Sequence, residues 1–172
     1  MGAIVKQVFF NRPTLKVAEE LLGMFLVRRI GSREISLPIT EVEAYDGFND
    51  KASHASRGNT LRNAPMFGDA GFWYVYLVYG MHWMLNIVTG AREYPAAILI
   101  RGAGSINGPA KLTKALSITK TFNAKPASRI TGLWIEDRGV VVKKSDIKRL
   151  PRIGVDYAGP VWAKRKYRFV VV

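Results

Sequence analysis

The sequence predicts one α+β domain, residues 1–172, built around an antiparallel or mixed β-sheet. Stretches rich in aromatic and β-branched residues outnumber those with helical periodicity, and the connections between them are short. With 172 residues, of which 48% are hydrophobic, the chain is long enough to bury a substantial core. No internal repeat or low-complexity linker divides it.

The first elements are a helix and two strands. Pro13 suits the first turn of a helix that continues through LKVAEELLG and ends at Gly23. Its apolar stripe is expected at Leu15, Ala18, Leu21 and Leu22. Residues 24–30 and 35–45 predict strands joined by a short turn, and residues 46–71 predict loops because they are rich in Gly, Asn, Asp and Pro.

Residues 72–89 predict a β-hairpin on which the functional interpretation depends. An odd-length turn at residues 79–81 would keep alternate residues on one face across both strands. The odd-numbered face is then apolar, whereas the even-numbered face carries Tyr74, Tyr76, His82 and Asn86. These rings either recognise a planar ligand or form the core of a half-buried sheet.

The second half of the chain adds shorter elements. A basic helix is expected over residues 108–118, entered through Gly108 and Pro109. The remaining segments predict strands, with a basic stretch at residues 164–166 before the last of them. These strands are residues 96–101, 133–136, 140–142, 153–158 and 167–172.

The charge of the chain indicates its class of partner. A net charge of +13 favours a polyanion, with nucleic acid first and an anionic membrane surface second; enhanced solubility is the alternative explanation. No apolar run is long enough to span a bilayer, and no signal peptide is visible. With no cysteine and two histidines, no metal site is expected. We interpret the protein as intracellular.

Two glutamates stand at an unexpected place in the strand 35–45. Its odd positions run from Ile35, Leu37 and Ile39 into Glu41, Glu43 and Tyr45, so an apolar face is expected to continue into carboxylates. Burying a carboxylate is costly without partners. Either the glutamates pair with arginines at the sheet end, or one acts as a general base beside an aromatic pocket, with Arg101 as counter-charge.

Together these features favour hydrolysis of a nucleic acid component. An enzyme acting on a base in duplex DNA must extrude it, which requires an aromatic pocket, a wedge and basic residues for the phosphates. The pocket candidates are Tyr45, His54, Tyr74 and Tyr76, and the wedge is Tyr79. A metal-free site with one carboxylate suits cleavage of an N-glycosidic bond through an oxocarbenium-like state.

The same residues resemble the alkyladenine (3-methyladenine) DNA glycosylases over most of the chain. The matching blocks, in family order, are Glu41-Val-Glu-Ala-Tyr45, His54, Arg62-Asn63, Met66-Phe67, Tyr74-Val-Tyr-Leu-Val-Tyr-Gly-Met81, Asn86, Arg101, Gly108-Pro-Ala-Lys-Leu112, Ile153-Gly-Val155, Trp162-Ala-Lys-Arg165 and Tyr167-Arg-Phe169. The resemblance implies a single mixed domain around a curved antiparallel sheet with a protruding hairpin. It also implies a monomer that acts on damaged purines in double-stranded DNA without metal or cofactor.

The resemblance further implies a role for each matching position. Glu43 is the expected general base, and Arg101 helps to hold the nucleophilic water. Tyr45, His54 and Tyr76 are expected to sandwich the flipped base, and Asn86 to crowd the amino group of normal guanine. Further positions expected to contact DNA or the pocket are Tyr79 in the minor groove, Met81 and Met66.

One departure from the family concerns residues 102–107. Family members usually carry a longer segment between the strand that ends at Arg101 and the helix that follows Gly108, so this chain is expected to lack helical material near the DNA.

Two other classes of protein compete with this interpretation. A non-catalytic nucleic-acid-binding module explains the charge and the tyrosines but leaves Glu43 unexplained. A small-molecule transferase, such as one handling formyl groups, needs an Asn-His-Asp cluster that the sequence does not offer.

Binding to DNA should weaken steeply as salt concentration rises, because Lys and Arg on phosphates release counterions. The expected contributors include Lys111, Lys164 and Arg165. Titrating a labelled duplex at several salt concentrations measures the slope, and an affinity that does not change with salt would exclude a phosphate-contacting surface.

Overall fold

The computed structural model of the protein describes residues 2–172, and its framework is one open antiparallel sheet. The strand order along the sheet is β1-β8-β2-β3-β6-β5-β4, with β10 beside β3, β9 beside β10 and β7 beside β6. This confirms the α+β class. The strands are β1 Ala3–Ile4, β2 Phe25–Ile30, β3 Arg33–Asp46, β4 Trp73–Val78, β5 His82–Val88, β6 Ala96–Ala103, β7 Ile106–Asn107, β8 Leu133–Asp137, β9 Ile147–Leu150 and β10 Arg168–Val171.

Residues 2–172 contain four α-helices, which lie outside the sheet. They are α1 Gln7–Phe10, α2 Thr14–Leu21, α3 Pro109–Ala115 and α4 Gly159–Trp162. The buried residues of α2 are Thr14, Val17, Ala18 and Leu21, spaced as one helical face. Of the predicted stripe, Ala18, Leu21 and Leu22 are buried, and Leu15 is partly buried and packs against the core. Among residues 2–172, no helix is long and apolar enough to cross a membrane.

The long strand β3 joins the two halves of the sheet. Its first part pairs with β2, from Arg33 opposite Ile30 to Pro38 opposite Phe25. Beyond that point β10 takes the place of β2, while β6 pairs along the other edge. One strand therefore runs from its exposed start at Arg33 and Glu34 into the region where Glu41, Glu43 and Tyr45 lie.

The pairing of β3 with β6 is irregular at Glu41, and this irregularity changes which residues face the core. Ile39, Val42 and Ala44 all belong to the main hydrophobic core, although strict alternation would separate Ile39 from the other two. The prediction that Glu43 continues the face of Ile39 is therefore wrong. Glu43 lies on the opposite face, so its carboxylate does not have to pack among the aliphatic side chains of the main core.

The hairpin has the predicted register. Val78 pairs with His82 and Tyr74 with Asn86, so the odd-length turn keeps one parity on each face. Trp73, Val75, Leu85 and Ile87 belong to the main core. At the tip Tyr79 has φ of 51° and Gly80 has φ of 66°, both left-handed. The exposed fraction of Tyr79 is 90%, so its ring points outward and does not tuck beneath the sheet.

Two segments predicted as strands are not strands. Residues 140–142 cross beside Gly23 at the end of α2, where they have no neighbouring strand. Residues 153–158 form an irregular segment and a 3-10 helix at Asp156–Ala158, and β9 supplies the partner of β10. The amide of Ile153 donates to a side chain, which diverts the backbone from a ladder.

Residues 102–107, where the sequence predicted a shortened segment, form a tight hairpin. Gly102 pairs with Asn107 and Ala103 with Ile106, and Gly104 turns the chain at φ of 57°. The two-residue turn connects β6 to β7, and α3 begins two residues after β7.

Candidate active site

The carboxylate of Glu43 lies at the base of a cavity of about 600 Å³ on the face of the sheet opposite the main core. The side chain has no exposed surface. Its Oε1 accepts a hydrogen bond from the backbone N–H of Ile153 at 2.8 Å, and its Oε2 accepts one from the hydroxyl of Tyr45 at 2.9 Å. Two donors from different segments thus fix the carboxylate in one orientation.

Arginines balance the neighbouring negative charges. The Nη1 of Arg101 lies 3.5 Å from Oε1 of Glu43, and the Nε of Arg101 donates to Glu41 at 3.0 Å. Glu41 accepts a second hydrogen bond from Arg168 at 3.1 Å. Both glutamates are therefore paired with arginine, as the structural alternative expected, but Glu43 faces the cavity and Glu41 does not line it. Glu41 instead holds Arg101 in place.

Burial raises the pKa of Glu43 above its ordinary value. Arg101, the amide of Ile153, the hydroxyl of Tyr45 and Arg152 act in the opposite direction and lower this pKa, but burial is the larger effect. The pKa of Tyr45 is raised well above its ordinary value by burial and by the charge of Glu43, so its hydroxyl remains a donor. A carboxylate with a raised pKa is suited to accept a proton.

An aromatic cluster forms one wall of the cavity. The rings of Tyr74 and Tyr76 lie 5.0 Å apart, and those of His54 and Tyr76 lie 4.8 Å apart at 72°. Because the rings of His54 and Tyr76 are in contact, a base cannot enter between them. The predicted stacking of a base between rings therefore requires His54 and Tyr76 on one side of the base and Tyr45 on the other. Partial burial and the cation of Arg62 lower the pKa of His54, which favours its neutral form.

The remaining pocket predictions are placed on the walls. Asn86 is buried on β5, donates to the carbonyl of Tyr74 at 3.1 Å and lines the cavity. Met66 is 2% exposed and also lines the cavity. It was predicted to contact either DNA or the pocket, and the structure places it in the pocket.

The predicted DNA contacts lie outside the cavity floor. Tyr79 lines the rim, and Met81 is 68% exposed beside it on the hairpin tip. The side chains of Lys111, Lys164 and Arg165 are exposed and do not line the cavity. Their contribution to DNA binding stays a prediction.

Several residues of the cavity were given no site role from the sequence, although Arg62 and residues 153–155 belong to the blocks that resemble the family. Ile153, Val155 and Tyr157 line the cavity from a stretch predicted to be a strand. Arg62 donates to the carbonyl of Leu77 at 2.9 Å and lies over the ring of Tyr76. Within residues 2–172, no cluster of three or more His, Cys, Asp or Glu side chains could hold a metal ion.

A cavity of this volume, walled by rings and closed by a buried carboxylate, is typical of the substrate-binding site of an enzyme. A profile of the methylpurine-DNA glycosylase family matches residues 8–106 and 103–172. The chain belongs to this family. The two matched stretches meet at the tight hairpin after β6, where the sequence predicted that a family segment is shortened.

Sequence relatives support the same assignment. A protein of Methanocella arvoryzae is 45% identical over 186 aligned residues, covering 96% of this chain and 91% of the relative. Proteins of Myxococcus xanthus and Sodalis glossinidius are 42% and 43% identical, covering 95% and 90% of this chain and 87% and 91% of the relatives. All three carry the name "Putative 3-methyladenine DNA glycosylase". Membership of the family supports a DNA glycosylase role.

The carboxyl of Glu43 should titrate at a higher pH than a glutamate in an unfolded peptide, because burial outweighs the donors and cations around it. Carboxyl ¹³C NMR, assigned by comparison with Glu43→Gln, measures this pKa. A value at or below that of the peptide would show that the donors and cations dominate.

Proposed function

We propose that the protein is a monofunctional DNA repair glycosylase that flips an alkylated or deaminated purine out of duplex DNA and hydrolyses its N-glycosidic bond, leaving an abasic site. The observation that carries this proposal is the buried, hydrogen-bonded carboxylate of Glu43 at the base of an aromatic cavity. The names of the relatives, which refer to 3-methyladenine, support a damaged purine as substrate.

Glu43 is the proposed general base. Its two oxygens are oriented by Ile153 and Tyr45, which leaves lone pairs for a water in the cavity. The carboxylate takes a proton from this water as oxygen attacks the sugar carbon, and its negative charge balances the developing oxocarbenium ion. The bond to the purine breaks in the same process, and Arg101 helps to hold the water.

The aromatic wall is proposed to bind the flipped base. Tyr45, His54 and Tyr76 all line the cavity, and a purine is proposed to stack between Tyr45 and the other two rings. A neutral His54 favours this because an imidazolium would repel a cationic alkylated purine. The side chain of Asn86 lies on the adjoining wall and is proposed to crowd the amino group of normal guanine.

The partner is proposed to be double-stranded DNA containing damaged purines, bound by a monomer inside the cell. The net charge of +13 suits the phosphate backbone. The exposed ring of Tyr79 at the rim is proposed to fill the space that a flipped nucleotide vacates.

Incubating the protein with duplexes that each contain one damaged purine, followed by alkali, should cleave the strand at the lesion. Glu43→Gln should reduce base release by about 10²–10⁴-fold while binding persists, because the amide cannot accept the proton. Glu41→Gln is the control, since Glu41 does not line the cavity and should retain more activity.

A fully active Glu43→Gln beside an inactive Glu41→Gln would overturn the catalytic assignment. Wild-type protein that binds every lesion duplex but releases no base would instead identify a binding module.

Tyr79→Ser should reduce base release more when the lesion is in a stable base pair than when it is opposite a mismatch. The ring is expected to offset part of the stacking lost on flipping, which is smaller at a mismatch. Single-turnover rates on the two duplexes measure the difference. Equal losses on both, together with a lower melting temperature, would assign Tyr79 a structural role.

A further inference from the structure

The buried pair Asp50 and Arg152 plays no part in the mechanism above, yet it contacts three of the segments that build the site. Both side chains are completely buried, and they are joined by hydrogen bonds of 2.5 and 2.8 Å in a two-pronged arrangement. Burying two charges is costly, so such a pair gains little stability over apolar residues of similar size. Its position therefore needs an explanation beyond folding.

Arg152 contacts β3 between Glu43, the proposed general base, and Tyr45, which belongs to the wall of the cavity. Its Nη1 donates to the carbonyl of Ala44 at 2.9 Å, the residue between Glu43 and Tyr45. Its guanidinium lies 4.8 Å from the ring centre of Tyr45. The next residue, Ile153, donates its N–H to Glu43. One side chain thus fixes the strand, the ring and the donor that orients the carboxylate.

Asp50 connects Arg152 and the end of β3 to the loop that leads to His54. Its Oδ2 accepts from the amide of Asp46 at 3.0 Å, at the end of β3, and its Oδ1 accepts from the amide of Ala52 at 3.1 Å. The pair consequently joins β3, the loop after it and the segment before α4. Each of these contributes residues to the cavity.

We propose that Asp50 and Arg152 are positioning residues of this site, which hold the amide of Ile153 on Glu43 and the ring of Tyr45 in place without touching the substrate. The proposal rests on the proposed glycosylase function for its kinetic consequences. Its structural consequence is independent of that function, because a displaced amide changes the titration of Glu43 whether or not the protein releases bases.

The test compares Asp50→Asn, Arg152→Lys and Arg152→Met in the full chain. Lysine keeps the positive charge but cannot form the two-pronged contact, so it separates charge from geometry. Loss of a hydrogen bond to a charged group should raise the pKa of Glu43 by about one pH unit, measured by carboxyl ¹³C NMR. Methionine should give the larger change because it also removes the cation.

The kinetic arm measures single-turnover base release against pH. Since Glu43 must be ionised, the fall in rate at low pH should move to higher pH in the variants, in parallel with the NMR value. At pH values below the pKa of Glu43 in both proteins, a variant should react roughly tenfold more slowly than wild type. Its affinity for duplex DNA should stay within about twofold of wild type, because neither side chain is exposed.

Arg138→Met is the matched control. It removes an arginine from Glu136, another buried carboxylate, on β8 at the other end of the sheet. It should lower stability without moving the titration of Glu43.

An unchanged Glu43 titration in both Asp50→Asn and Arg152→Lys would overturn the proposal, even if the melting temperature falls. So would an equal shift in Arg138→Met. If Arg152→Met does not fold, the two milder variants decide the question. A wild-type protein without base release would refute the proposed function, and the NMR comparison would still decide the role of the pair.

Discussion

The structure of the site depends on the burial of one negative charge, that of Glu43. A lone carboxylate in a dry interior is strongly disfavoured, so it persists only with donors and counter-charges around it. Three carboxylates, from Glu41, Glu43 and Asp50, are matched by three arginines, Arg101, Arg152 and Arg168. Each arginine comes from a different segment, so satisfying this charge also fixes how the sheet, the loop and the C-terminal region pack.

The geometry of β3 makes this arrangement compatible with a hydrophobic core. The irregular pairing at Glu41 lets Ile39, Val42 and Ala44 pack inward while Glu43 and Tyr45 face the cavity. The strand thereby contributes to both faces of the sheet within a few residues. The hairpin does the same by simple alternation, with Trp73 and Leu85 on the core side and Tyr74 and Asn86 on the other.

The sequence was most informative where side chains alternate regularly. The alternation of side chains along a strand was enough to place Tyr76 and Asn86 on one face of the hairpin, because the turn has odd length. It misassigned the face of Glu43, since a pairing irregularity has no signal in a single sequence. Ile153 was missed for a different reason: its contribution is a backbone N–H, which every residue except proline carries, so its identity gave no indication of the contact.

The left-handed backbone of Tyr79 has a consequence for the evolution and engineering of the protein. A bulky side chain at φ of 51° is disfavoured by about 1–2 kcal/mol relative to glycine. Selecting variants for thermal stability alone would therefore favour replacement of this tyrosine by glycine or asparagine, and would delete the projecting ring in the process. At the hairpin tip, resistance to heat and the shape presented to a partner are competing properties.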